Sequence, residues 1–547
     1  CHSGGDSRRT PAYAAQGKVF TPVPVSGANG APLALFDLIL RTVSALPAPE
    51  GGHVLVTSGD VLLTFDHASV DLSRPGVTGV AYFGPTERGS RHGVYVPEAF
   101  LSNPLRTECV PVEDFLQKPT GDEARACGAV DAFGHVAVDT GLLSLDPATC
   151  AALLKAAGVG NVEYPTGNDP CRRGKAGEGE GENAQRSTRE EKGLLAELID
   201  GSCPALDLYE ELTMALAPRF GEARYLARFV SGRGRGAAHG RRMRAFYRAL
   251  RGVAFQVNIV PYCEFFHIGS SRELLSGFSA LSRTAQEYRF ANGSGACVTG
   301  GGETGRAFVF NARIACPLKT GHALIEAVHA AETCPGLTLA GENILTGLPP
   351  GARVGVRLAK GLGLVCLPIG ASQWAAVVYG LDDDFKTPFG GAAPCLFLNA
   401  PVEAWLTRTG AAAPALWRGD EREGMWRARL WRVGKLDDVL AEAVEIAGEG
   451  ENSRGDAEVL DGEKGGRGRR YSIAELLPRV NHGRLLAVRQ EIRRQVNLMR
   501  VADRLLGDDA LPSAEVCGWI RNADEAGLAL RQLEALLTGE APGKPLL

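Results

Sequence analysis

LALFDLILRTVSAL (33–46), followed by VLVTSGDVLLTF (54–65), decides the fold class of this chain. In the first stretch apolar residues recur at helical spacing, which predicts a helix with one buried stripe. The second is a short β-branched and apolar run broken by Gly59-Asp60, as expected where a buried strand ends at a ligand site. Apolar runs alternate with turns throughout residues 1–145. Strand and helix in alternation predict a doubly wound, Rossmann-like α/β domain with a mostly parallel sheet.

Working outward, a chain of 547 residues exceeds what one hydrophobic core organises, so two or three domains are expected. The α/β domain is assigned to residues 1–295. Inside it, RRGKAGEGEGENAQRSTREEKG (172–193) is almost free of apolar side chains and is read as a disordered insertion. Residues 224–251 carry nine arginines, among them Arg233, Arg235, Arg241 and Arg242. They read either as a solvated helical face or as a phosphate-facing patch. Residues 296–435 are assigned to a β-rich domain. There ARIACPL and TLAGENILTGLPPGARVGV have the composition of a β-solenoid of small coils, although their hexapeptide spacing is ragged. LGLVCLPI (362–369) and WAAVVYGL (374–381) predict two antiparallel strands joined by a turn. The remainder, 436–547, is read as helical, with a low-complexity stretch at 447–470 and a capping box at Ser472 and Glu475 opening a helical pattern that runs to about Leu537.

A formal net charge of −4 argues against general affinity for nucleic acid, which needs a broadly basic surface. No apolar run approaches the ~20 residues of a membrane span, so no membrane role is expected. Thirteen scattered cysteines without a C-x-x-C pair fit reduced thiols and a cytoplasmic protein. The chain starts at Cys1 with a glycine-rich loop directly behind it. Such loops follow a buried strand, so an upstream strand is expected.

The chemistry concentrates in SGGDSRRTPAYAAQGKVFTPVP (3–24). Gly4 and Gly5 let backbone amides approach phosphate oxygens with no Cβ in the way, and Asp6 and Ser7 complete the turn. Arg9 and Lys18 would then bring positive charge to a polyphosphate. At an effective dielectric near 20, a cation about 4 Å from a phosphate oxygen gains roughly 4 kcal/mol of raw attraction.

This stretch resembles the signature loop of sugar nucleotidyltransferases, G-G-x-G-T-R followed by a later Lys. Here Ser7 and Arg8 replace the third glycine and the threonine. The form G-G-D-S-x-R, ending in G-K-V-F-x-P, is similar to fucose-1-phosphate guanylyltransferases and to the pyrophosphorylase half of bifunctional fucokinase/GDP-fucose pyrophosphorylases. VTSGDVLLTFD (56–66), EDFLQKP (113–119), VDTGLLSL (138–145) and VNIVPYCEFFHIGSSRELLSGFS (257–279) resemble further stretches of the same group. So do LVCLPIGASQWAAVVYGLDDDFK (364–386) and WRARLW (426–431).

The resemblance implies a transferase that forms GDP-fucose and pyrophosphate from GTP and L-fucose-1-phosphate, with Mg²⁺ as cofactor. By the same resemblance Asp60 holds the metal, where it also reads as a turn cap. Lys118 meets the sugar phosphate, or is a surface lysine before a proline turn. Asp139, Thr140 and Gly141 lie near the sugar hydroxyls, or form an ordinary strand-ending turn. His267 stands where relatives offer a metal-binding Asp, yet Mg²⁺ prefers oxygen, so it either bonds the sugar or packs. Glu264 is a substitute ligand. Arg9, Lys18, Asp60 and Lys118 are expected to share one cleft. Two other readings stand beside this one. A fragment of a bifunctional enzyme would bring kinase chemistry, but no P-x-x-x-G-L-S-S loop occurs. An inactive nucleotide-binding remnant would bind without turnover.

Overall fold

The break at Gly59-Asp60 forms as the sequence requires: strand β1 (Val54–Val56) and a second short strand (Val61–Thr64) flank it, and helix α1 (Leu35–Ser44) precedes it. The computed structural model describes residues 7–27, 32–100, 103, 105–157, 206–233, 236–284, 295–417, 424–448 and 469–506. Gly4, Gly5, Asp6, the insertion at 172–193, Arg235, nearly all of 447–470 and the helical pattern beyond Leu506 lie outside the described residues. The chain groups into two compact units, one of Arg41–Phe265 and one of Ser3–Leu40 with Phe266–Leu547.

The first unit is built on strands β1, β2 (Val77–Pro85), β3 (Gly93–Pro97), β4 (Glu108–Gln117), β5 (His135–Leu145) and β6 (Phe255–Val260). They lie in the order β1-β5-β2-β6-β4-β3. The expected mostly parallel sheet is corrected here. Among the described residues β2 and β6 pair in parallel, whereas β1–β5, β2–β5, β4–β6 and β3–β4 are antiparallel. Between β3 and β4 the reason is connection length. A parallel neighbour needs a crossover of a dozen or more residues, and the ten residues between β3 and β4 provide only an antiparallel return. The sheet also bends back on itself, since Val94 and Tyr95 of β3 pair with Val138 and Ala137 of β5. One face buries Tyr95, Phe115, Val257 and Ile259 against α2 (Glu222–Phe229) and α3 (Ala237–Leu250), whose Tyr225, Phe229, Met243 and Leu250 are inaccessible to solvent. The other face buries Val80, Val94, Val136 and Leu142.

In the second unit helix α4 (Ser271–Thr284) is followed by the solenoid. Its main sheet takes β7 (Ala296–Val298), β8 (Ala307–Ile314), β10 (Ala323–Ala330), β12 (Asn343–Thr346), β14 (Leu362–Ile369) and β15 (Gln373–Gly380) in that spatial order. A three-stranded parallel side holds β9 (Leu318–Thr320), β11 (Leu337–Leu339) and β13 (Val356–Leu358). Ala307 faces Ala323, Ala323 faces Asn343 and Ile344 faces Gly363, so successive rungs are 16, 20 and 19 residues long. That uneven rise is why the hexapeptide spacing is ragged. The expected hairpin is present: β14 and β15 pair antiparallel, Leu364 opposite Val378, and the reversal ends the parallel stack. Helix α5 (Leu436–Ala447) packs on β15, and α6 (His482–Leu506) runs along β8 and β10. The capping box at Ser472 and Glu475 forms, but Pro478 follows and the chain restarts as α6.

A buried ion pair fixes the signature segment to this stack. Arg489 of α6 donates to Glu326 of β10 at 2.6 Å, with the Glu326 side chain 1% exposed. Burial pushes the Glu326 carboxyl up, and the Arg489 charge opposes that shift. The Gln16 amide, oriented so that its oxygen accepts, lies 3.1 Å from Nη1 of the same guanidinium. Tyr13 is completely buried beside them. Breaking a buried pair leaves an uncompensated charge, so Arg489→Ala is expected to cost about 3–5 kcal/mol in urea unfolding. A Glu326→Gln/Arg489→Met double variant should recover part of that loss. A cost below about 1 kcal/mol for Arg489→Ala would mean that the pair anchors nothing.

Candidate functional site

Each unit gathers a different part of the candidate set. In the second unit Ser7, Arg9, Lys18 and His267 come together; in the first, Asp60, Lys118, Asp139, Thr140 and Gly141.

The signature segment folds as two tight turns. Ser7 is buried with φ of 55°, in the left-handed region where non-glycine residues are uncommon. Thr10 donates its amide to the Ser7 carbonyl, and a 3₁₀ turn over Pro11–Tyr13 follows. The Arg9 carbonyl accepts from both the amide (2.8 Å) and the hydroxyl (3.1 Å) of Ser271. Lys18 is buried, and its ammonium donates to the Gly269 carbonyl at 3.3 Å. Arg9 Nε is buried and has no hydrogen-bond partner. Arg8 lies with its guanidinium 5.8 Å from the Trp426 ring centroid, on the wall of a cavity of about 420 Å³ that also touches Ser7, Gly17 and Arg427.

His267 packs rather than standing open. Its Nδ1 lies 3.3 Å from a Glu273 carboxylate oxygen, and a Cβ on Gly269 would sit 2.2 Å from its ring. Glu273 also accepts from the Gly269 amide. Burial pushes the Glu273 carboxyl up, but His267, Arg9 and Ser270 together hold it below its ordinary value. Glu264 accepts from the Tyr262 hydroxyl at 2.9 Å.

In the first unit the pairing of Val94 with Val138 brings Gly93 onto Asp139, where a Cβ on Gly93 would lie 3.1 Å from Asp139 Cβ. Gly93 also pairs with Gln117 of β4, so Lys118 leaves the sheet beside Asp139. Lys118 has φ of 51° and donates its amide to the His92 carbonyl at 3.0 Å. Gln117 Oε1, next to it, is buried without a partner.

Thr140 and Gly141 form a bulge, because Val80 faces Leu142 while Ala81 faces Asp139. Gly141 takes φ of +74°, and Thr140 spends its hydroxyl proton on the Val80 carbonyl at 2.6 Å. The bulge re-aims the strand and turns Asp139 inward. Its Oδ1 accepts from the Tyr95 hydroxyl (3.1 Å) and the Gly141 amide (2.9 Å). Burial nonetheless raises the Asp139 carboxyl to about 6. Asp60 accepts from the Ser58 hydroxyl at 2.6 Å, and a Cβ on Gly141 would lie 3.3 Å from Ser58. Tyr209 closes the group by donating to the Gly141 carbonyl at 3.0 Å. Burial first, then the charges of Asp139 and Asp60, push its phenol well up.

Sequence reasoning missed Tyr209, Tyr95 and Glu273. For Glu273 a signal existed: Ser270-x-x-Glu273 is a capping-box spacing, and Ser270 Oγ accepts from the Glu273 amide at 3.2 Å. The two tyrosines had none, because each acts through a partner distant in sequence. The arginine-rich stretch resolves toward a solvated structural face. Arg244 and Arg248 flank Glu222, Arg233 bridges Glu210 and Glu211, and Arg251 caps the carbonyls of Ala217 and Pro218.

Among the described residues no three His, Cys, Asp or Glu side chains cluster as a metal site, the nine cysteines are free thiols, and no helix is long and apolar enough to cross a membrane. Mg²⁺ does not need such a cluster, since it binds through one or two carboxylates, waters and substrate phosphates. The Asp60–Asp139 group supplies oxygen donors of that kind.

The sequence model of the fucose pyrophosphorylase domain matches residues 1–435. The chain belongs to that family. It is 33% identical over 148 residues to a bifunctional fucokinase/GDP-fucose pyrophosphorylase of Arabidopsis thaliana, covering 26% of this chain and 14% of that protein. To an L-fucokinase/L-fucose-1-P guanylyltransferase of Bacteroides fragilis it is 24% identical over 417 residues, 75% of this chain and 35% of that protein. With a mouse fucose-1-phosphate guanylyltransferase it shares 31% identity over 134 residues, 24% of this chain and 22% of the relative. The chain therefore spans about a third or less of these relatives' lengths.

Asp139→Asn keeps an oxygen for both donors while removing a charge whose burial is unfavourable. The native carboxyl at about 6 binds its proton more tightly than the unfolded one. Its penalty on folding is therefore present above about pH 6 and fades toward about pH 4. In urea unfolding the variant should gain on the wild type at about pH 8 and lose that gain by about pH 4. A gap that does not change with pH would contradict the assignment.

Proposed function

We propose that the chain is a fucose-1-phosphate guanylyltransferase, transferring the guanylyl group of GTP to L-fucose-1-phosphate and releasing pyrophosphate. The observation that carries this reading is the cationic turn of the second unit, where Arg9 keeps a buried, partnerless donor beside Lys18. An unpartnered buried N–H costs free energy, and a phosphate oxygen would satisfy it. Family membership and the relatives' names supply the base and the sugar. The same reading assigns residues 1–295 to a nucleotidyltransferase domain and places the protein in the cytoplasm.

The nucleophile is the sugar phosphate, already ionised at neutral pH because its second pKa is about 6, so no general base is required. Catalysis comes from alignment and charge neutralisation. Arg9 and Lys18 bind the triphosphate and steady the departing pyrophosphate. Lys118 meets the sugar phosphate as a point charge. Asp139 and the Thr140 hydroxyl, which keeps its acceptor lone pairs, orient the sugar hydroxyls. Asp60 would hold Mg²⁺, and Asp139, whose charge acts together with that of Asp60 on Tyr209, is the second carboxylate of the group. When bound, the metal neutralises phosphate charge.

A panel of nucleoside triphosphates against several sugar 1-phosphates, read as pyrophosphate release, is expected to single out GTP with fucose-1-phosphate. Release with no pair would contradict the activity. Lys18→Ala should lower kcat roughly a hundredfold or more, the loss typical of one transition-state charge contact. Its far-ultraviolet circular dichroism should match the wild type. Near-normal turnover would remove Lys18 from the mechanism.

A further inference from the structure

Tyr209 sits in a single π-helical turn, Leu208–Leu212, that follows the capping residue Asp207. Turns of this wide kind are rare and recur at functional sites. The backbone of Tyr209 is held at both ends. The Asp207 carboxylate accepts from its amide at 2.8 Å, and the Thr213 hydroxyl donates to its carbonyl at 2.9 Å. Glu211, two residues on, is buried and accepts from the Asp207 amide at 2.9 Å and from Arg233 at 2.7 Å. Tyr225 of α2 donates its hydroxyl to the Glu211 carbonyl at 3.1 Å. The turn is a rigid mount for the Tyr209 side chain.

The Tyr209 phenol reaches the Thr140-Gly141 bulge, 68 residues away in sequence, and donates to the Gly141 carbonyl at 3.0 Å. A Cβ on Gly141 would lie 3.5 Å from the Tyr209 oxygen and 3.3 Å from Ser58 Cβ, so both residues press on the bulge. From there hydrogen bonds lead to the two carboxylates of the group. Ser58 donates to Asp60 at 2.6 Å, and the Gly141 amide donates to Asp139 at 2.9 Å. Gly141 takes φ of +74°, and because glycine populates both signs of φ, its surroundings must select that conformation. The hydrogen bond from Tyr209 fixes the Gly141 backbone, and with it the direction of the amide that holds Asp139. Burial and the charges of Asp139 and Asp60 keep the phenol protonated, so it stays a donor.

We propose that Tyr209 is a positioning residue: acting through the Gly141 bulge, it holds Asp139 in the orientation that meets the sugar hydroxyls. The proposal deepens the fucose-1-phosphate reading and rests on it for the identity of the sugar. It separates Tyr209 from Tyr225, which makes the same kind of bond to a backbone carbonyl of the same turn but none to the bulge. Loss of the Tyr225 hydroxyl should cost stability alone. Loss of the Tyr209 hydroxyl should also cost sugar-phosphate affinity.

The test is calorimetric titration of the full chain with fucose-1-phosphate, in the presence of an α,β-methylene analogue of GTP that cannot release pyrophosphate. The turnover assay is run alongside. Tyr209→Phe should weaken fucose-1-phosphate binding about three- to tenfold, the loss of one hydrogen bond, and leave affinity for the GTP analogue unchanged. Tyr225→Phe should bind both ligands like the wild type. In an Asp139→Ala background, which has no carboxylate to position, Tyr209→Phe should change fucose-1-phosphate binding by less than about twofold. If the wild type forms the nucleotide sugar while Tyr209→Phe binds fucose-1-phosphate normally, the positioning role is overturned and the activity stands. Equal weakening in Tyr225→Phe, or full additivity with Asp139→Ala, overturns it as well. So does a wild type that binds no fucose-1-phosphate. If the wild type makes no nucleotide sugar but its fucose-1-phosphate affinity depends on Tyr209 and Asp139 together, the positioning role stands and the activity reading falls.

Discussion

Three hydrogen bonds hold the cations of the signature segment where they can act. The Arg9 carbonyl accepts two from Ser271, and Lys18 returns one to the Gly269 carbonyl. They join segments 262 and 251 residues apart in sequence. A glycine-rich turn carries no core of its own, so its conformation must be imposed by whatever it packs against. Here the 268–271 turn at the start of α4 imposes it from one side. The Glu326–Arg489 pair, with Gln16 and Tyr13, imposes it from the other. The solenoid is then more than a passive appendage. Its buried charges position the turn that carries Arg9 and Lys18.

Buried polar groups are used in two contrasting ways. Asp383 and Asn343 have their donors and acceptors matched by backbone groups, and they stiffen turns at the same end of the last rungs, where Leu362 faces Gly380. Arg9 Nε and Gln117 Oε1 are buried and unmatched, each next to a cation with an expected role toward phosphate. In a folded protein most buried polar atoms find partners, so unmatched ones concentrate attention on what they await.

Local features were legible in the sequence because the information for them is local. The strand break at Gly59-Asp60, the β14–β15 hairpin and the Ser472 capping box all follow from a few neighbouring residues. The solenoid was legible from composition, although its rungs of 16, 20 and 19 residues blur any strict repeat. Strand direction in the first unit was not legible. It depends on which distant strand each segment meets, and the long β5 pairs with β1, β2 and β3 in turn. The D-T-G turn was found, but not that its bulge buries Asp139 under Tyr95. For His267 the sequence left bonding to the sugar and packing both open, and the structure places its ring against Glu273.

The central claim is that the turn carrying Arg9 and Lys18 is a polyphosphate seat. Competition between GTP and inorganic pyrophosphate, titrated on the full chain, tests it most directly. The two ligands should exclude one another, and Arg9→Met should weaken both together. GTP binding with unchanged affinity at saturating pyrophosphate would contradict the account.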